Sequence, residues 1–168
     1  VENIHERGKW QIKSVSSSIE SDLVFPAVSG GEIVKFGTKN NFYLLISQDP
    51  KKRCGYDEDY LSSKYPLTYA YLVQFKDVLV KRAAYKKYFC KDGKPFAPFY
   101  SQFDISELTF SKYRVTWKQM ASKMSAVVLS SIKTDFGTKP MISTHTTAFF
   151  STDSKSESHY LCAILNSE

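Results

Sequence analysis

The side chains able to do covalent or metal chemistry are thinly spread along this 168-residue chain. Its histidines, His5, His145 and His159, and its cysteines, Cys54, Cys90 and Cys162, stand far apart. No Cys-x-x-Cys or paired-histidine spacing gathers soft ligands around one ion, which argues against zinc and against a disulfide framework. Cys162 falls in an apolar helical stretch and reads as core, and His159 as a surface residue. No Gly-x-Ser-x-Gly elbow accompanies a histidine. Methyl transfer to an exocyclic base nitrogen needs an Asn/Asp/Ser-Pro-Pro-aromatic loop to grip the amine, and no two of the 6 prolines are adjacent. A Gly-x-Gly strand-to-helix turn is also missing, so Gly30-Gly31 reads as an ordinary turn. Asp22, Glu32 and Lys35 lack the spacing of a nuclease centre. The sequence therefore predicts no catalytic centre, no metal site and no cofactor in this chain.

Positive charge is what the sequence offers instead. The 23 Lys/Arg and 17 Asp/Glu give +6, and that excess is concentrated. Residues 76–94 carry Lys76, Lys81, Arg82, Lys86, Lys87, Lys91 and Lys94 against Asp77 and Asp92 alone. Residues 112–123 add Lys112, Arg114, Lys118 and Lys123 with no acid. Clustered cations of this kind mark a polyanion partner, because each one brought to a phosphate releases a condensed counterion. Solvated helix faces with unmatched lysines read equally well from charge alone, and Arg82, Lys86 and Lys87 also suit the end of a helix, where cations complement its dipole. That second role does not extend to Lys91 and Lys94.

The elements that must carry these residues follow from periodicity. Trp10–Val15 reads as an edge strand, Leu23–Phe25 and Glu32–Phe36 as short strand or turn segments split by Pro26 and Gly30-Gly31, and Phe42–Ile46 as a strand buried on both faces. From Pro66 the period changes, and one helix is predicted over residues 65–88 with Leu72, Phe75 and Leu79 inward. Tyr113–Lys118 alternates, which assigns Tyr113, Val115 and Trp117 to the core and Arg114, Thr116 and Lys118 to a free face. Ala126–Leu129 and Thr147–Phe150 read as strands. Ser154 to Glu157 forms a capping box for a final helix, 154–166, with Tyr160, Leu161, Ile164 and Leu165 inward. The predicted fold is α+β: one domain over 1–168, mostly strands over 1–62, a mixed or antiparallel sheet, a long basic helix in the middle and a C-terminal helix. Val1 at the start and a last helix that stops as soon as it packs predict a fragment of a longer chain. No apolar run approaches the roughly 18 residues of a membrane span, and no leader opens the sequence, so a cytoplasmic protein without membrane partners is expected.

Four segments stand out in order: Asp22–Pro26 with Gly30–Lys35; Lys64–Leu72 with Phe75-Lys76 and Leu79–Arg82; Pro98–Ser101 with Tyr113–Lys118; and Lys139–Ile142 with Phe149 and Ser158–Ser167. Together they resemble the C-terminal target-recognition region of bacterial adenine N-6 DNA methyltransferases and of fused type IIG restriction-modification enzymes. The chain departs from the family at Gly31 and Gln119, positions where arginine is common. The resemblance implies a non-catalytic module that reads double-stranded DNA for a methyltransferase domain of the same chain. S-adenosylmethionine would belong to that missing domain. Arg114, Lys118, Gln119 and His145 are then candidates for base or near-base contact, and Arg82, Lys86, Lys87, Lys91, Lys94 and Lys112 for phosphate contact. His145, in Ser143–Thr147, suits a structural hydrogen bond as well as a ligand contact.

Two other readings stay open. Tyr85, Tyr88, Phe96, Phe99 and Tyr100 interleave with lysines and, if exposed, would stack the bases of a single strand. Alternatively, the basic patch meets an acidic protein partner.

Overall fold

The computed structural model of the chain describes residues 1–3 and 12–167. His5 and the start of the expected edge strand, Trp10-Gln11, lie outside them; Ile12–Val15 form no strand, although Glu2 bridges to Ser16. In chain order the strands are β1 Val24–Val28, β2 Ile33–Val34, β3 Gly37–Thr38, β4 Phe42–Leu45, β5 Gln48–Asp49 and β6 Cys54–Gly55. Four short helices follow, α1 Glu58–Lys64, α2 Pro66–Val73, α3 Lys76–Leu79 and α4 Ala83–Tyr88. Then come β7 Cys90–Lys91, β8 Lys94–Pro95, β9 Tyr113–Lys118, β10 Ala126–Leu129, β11 Ser131–Thr134, β12 Gly137–Pro140, β13 Ile142–Ser143, β14 Thr147–Thr152 and α5 Lys155–Leu165. The fold is α+β, with several small sheets rather than one large one. The chain divides into two compact units, residues 1–23 with 47–105 and residues 24–46 with 106–168.

The long basic helix expected over residues 65–88 is replaced by α2, α3 and α4, while α1 forms at the end of the stretch expected to be mostly strands, and the backbone shows why. Tyr65 (φ −133°, ψ 60°) and Arg82 (φ −58°, ψ 134°) both leave the helical region. Between them the amides of Gln74, Phe75, Val78, Lys81 and Arg82 bond to carbonyls three residues back, the tighter 3₁₀ pattern. The Arg82 guanidinium fixes the last break by donating to the carbonyls of Leu79, Phe99 and Ser101 at 2.9 to 3.0 Å. The apolar period that begins at Pro66 runs on past these 3₁₀ bonds and concealed the interruptions before Arg82.

The first unit is aromatic at its centre. Leu61, Tyr65, Tyr71, Leu72, Tyr85, Phe89, Phe99 and Tyr100 are buried. Phenol groups buried among apolar rings need acceptors, and they find backbone oxygens: Tyr85 donates to Ala97 at 2.8 Å and Tyr100 to Tyr56 at 2.6 Å. The Glu20 carboxylate caps α2 from a distance, accepting from the amides of Leu67 and Thr68 and from the Thr68 hydroxyl at 2.5 to 2.9 Å. Burial works against its charge, but these hydrogen bonds outweigh that and hold its carboxyl below the usual range.

In the second unit, β9 lies between β10 and β14 in an antiparallel sheet, and α5 packs across all three. β9 and β10 coincide with their predicted spans. Val115, Ala126 and Cys162 form one apolar cluster, flanked by Trp117, Leu161 and Leu165. A second cluster joins Val28, Ile33, Val127, Leu129 and Met141. The inward side of α5 carries Leu161 and Leu165, as expected, together with Ser158 and Cys162, whereas Tyr160 and Ile164 face solvent. Polar residues can occupy that side because their bonds are met internally. The Ser158 hydroxyl donates to the Lys155 carbonyl, and the buried Asn166 amide pairs with both backbone groups of Ala126. The Ser154 hydroxyl accepts from the Glu157 amide, as the capping box requires, but the Glu157 carboxylate turns to the Thr152 hydroxyl.

A parallel and antiparallel trio, β13-β1-β4, completes this unit. Its centre is β1, which runs through Pro26. Pairing with β13 begins only at Ala27, so the missing proline amide falls where β1 has β4 as its one partner. The strand expected to be buried on both faces, β4, is an edge strand with Tyr43 51% exposed.

Candidate nucleic-acid interface

The second unit contains an open cleft of about 630 Å³. One wall is the end of β9, Lys118 and Gln119, continuing into the connection Met120–Ser125 that leads to β10. The others are Gly30-Gly31, just after β1, and His145-Thr146, between β13 and β14. Lysines, hydroxyls and an amide line it, and no carboxylate does.

The position of His145 follows from a tight turn. The Thr147 amide bonds to the Thr144 carbonyl at 3.0 Å, and the Thr147 hydroxyl to the same oxygen at 2.6 Å. His145 and Thr146 are thereby held at the two central positions. Three further bonds tie this turn to its neighbours: Thr144 amide to Val28 carbonyl, Gly30 amide to Thr146 hydroxyl, and Gln119 amide to Thr146 carbonyl, at 2.8 to 3.1 Å. A Cβ on Gly30 would stand 2.6 Å from the Thr146 carbonyl oxygen, so only glycine allows this approach. His145 and Gln119 are exposed, and Lys118 is half-buried.

Three of the four residues expected to contact bases, Lys118, Gln119 and His145, thus share one cleft. The fourth does not. Arg114 is 1% exposed, its guanidinium donates to the Met141 carbonyl at 2.6 Å, and its Nε has no partner among the described residues. Burial pushes its pKa down to about 10. The expectation of a free second face on β9 is corrected by this: Thr116 is also buried, and both faces of the strand are covered.

The phosphate candidates fall into three groups. Lys112 is exposed in the second unit, next to β9. Arg82 is largely buried under the three carbonyls that hold it, and burial lowers its pKa; it takes a structural place. Lys86, Lys87, Lys91 and Lys94 are exposed in the first unit, with no ion pair among the described residues. Lys86 and Lys87 lie on α4. Lys91 and Lys94 are direct partners across the β7-β8 hairpin, joined through Asp92 (φ 50°) and Gly93 (φ 75°). Two positive φ values define the two-residue turn that Asp-Gly favours, and it sets two like charges opposite each other, an unfavourable pairing in the absence of an anion.

Of the rings that could stack bases, Tyr85, Phe99 and Tyr100 are buried, whereas Tyr88 and Phe96 are exposed. Ser122, Lys123, Ser125 and Thr146 also line the cleft; of these the sequence reading names only Lys123, as part of a basic block, and gives none of them a contact role. Among the described residues no cluster of three or more His, Cys, Asp or Glu is placed to hold a metal, and no helix is long and apolar enough to cross a membrane. No known protein-family model matches the chain, and no curated protein matches it.

Proposed function

We propose that the chain is a DNA sequence-recognition module, cytoplasmic and bacterial, working beside an adenine N-6 methyltransferase domain, with or without a linked endonuclease as in type IIG enzymes. The chain itself supplies no catalytic step, and S-adenosylmethionine would serve the methyltransferase domain. The observation that carries this reading is the convergence of the adjacent pair Lys118-Gln119 with His145, from a different loop, on one cleft with no carboxylate. An amide and an imidazole offer donors and acceptors to base edges, and Lys118 and Lys123 offer charge to a backbone that repels carboxylates. Lys86, Lys87, Lys91, Lys94 and Lys112 supply sequence-independent affinity. Arg114 acts from the interior by holding the strand that ends in Lys118.

The test is selection from duplexes with a randomised core, at low salt, followed by sequencing of the bound fraction. The wild-type chain should enrich a motif, and Q119A with H145A should bind comparably but flatten the preference at one or more positions. Equal recovery of all sequences by the wild type would refute recognition by this chain.

A further inference from the structure

The first unit contains a second aromatic arrangement, separate from its buried core. Tyr88, the last residue of α4, stacks on Phe103 with ring centroids 3.8 Å apart and planes inclined by 18°. The other ring pairs among the described residues meet tilted or edge-on, with centroids 4.9 to 6.5 Å apart, the arrangements that ring quadrupoles favour. Lys87 Nζ lies over the Tyr88 ring, 5.0 Å from its centroid.

Phe103, stacked against Tyr88, is 47% exposed. Its backbone is held: the next residue, Asp104, adopts φ 63° and pairs with Arg53 at 3.0 Å. A partly exposed, stacked aromatic ring therefore lies on the unit that also bears the exposed lysines of α4 and of the β7-β8 hairpin.

We infer that Phe103, backed by Tyr88, is a stacking platform for an unpaired nucleobase of single-stranded DNA or RNA, with Lys86, Lys87, Lys91 and Lys94 receiving its phosphates. Every base has a π face, so such a platform binds without regard to sequence, and the flanking cations give it a phosphate-dependent affinity. A protein partner fits less well, because a single partly exposed ring amid lysines provides little apolar area to bury. The inference does not rest on duplex recognition by the cleft.

Fluorescence anisotropy of the full chain with labelled oligo-dT, oligo-U and a blunt duplex of equal length tests it. The wild type should bind one or both single strands, and F103A should weaken that binding on the order of tenfold, the effect of losing one stacked base, while duplex affinity stays unchanged. F103W keeps an aromatic ring and should retain affinity, its indole emission quenched on binding oligo-dT; it keeps the test decisive if F103A fails to fold. Equal single-strand affinity of wild type and F103A, or no single-strand binding by wild type and F103W, overturns the platform. Loss of duplex binding alone would instead count against the cleft.

Discussion

Arg114 shows most plainly how a charged residue misleads when read by type alone. Alternation placed it outside, yet β9 is covered on both faces and the guanidinium lies under the Met141 carbonyl. A buried cation without a carboxylate is held by few favourable interactions, whereas its three methylenes fill core volume. R114M preserves that volume and removes the desolvated charge, so its melting temperature should stay close to that of the wild type, with duplex affinity unchanged within about twofold. R114A leaves a cavity and should lose about 2 kcal/mol or more, as measured by urea denaturation. A strong binding defect in a well-folded R114M would return Arg114 to the interface. His145 is the opposite case: its type suited either role, and the turn bonded to Val28, Gly30 and Gln119 is what presents it to the cleft.

Among the elements, β9, β10 and the start of α5 were legible because alternation, a short apolar run and a cap are local signals. The break-up of residues 65–88 was not, because Arg82 bonds to carbonyls of residues 99 and 101, partners that no window around the helix contains. The inward side of α5 was misjudged for a related reason: Ser158 and Asn166 look solvated by type but have internal partners. The Glu20 cap on α2 is another nonlocal device, spanning about 48 positions. Its pKa is lowered on folding, so its stabilisation is fully present above the ordinary carboxylate range and disappears as pH falls through the lowered value. E20Q should be less stable at pH 7 by about 1 kcal/mol, a typical cap loss, and urea midpoints of variant and wild type should converge as pH drops below 4.5, the ordinary value from which the pKa is lowered. A difference independent of pH would show that the charge is irrelevant to the cap.

For the whole molecule, the sequence located the basic blocks but not their surroundings. Residues 112–123 separate in the structure into a buried arginine, an exposed lysine beside β9, and two lysines in a cleft completed by residues 30, 31, 145 and 146. That convergence depends on strand order and was invisible in the linear chain. Residues 76–94 hold both Arg82, turned inward, and the exposed set Lys86, Lys87, Lys91 and Lys94. Under the proposed function, a net charge of +6 arranged this way predicts duplex binding dominated by counterion release. The most direct measurement is duplex affinity across a salt series for the wild type, K86E/K87E and Q119A. The wild type should bind at low salt with log affinity falling linearly in log salt. K86E/K87E should be weaker on all sequences, its slope shallower by about 0.9 for each phosphate that is no longer neutralised. Q119A should keep the wild-type slope. Absence of duplex binding at low salt, or one slope shared by wild type and K86E/K87E, would contradict the account.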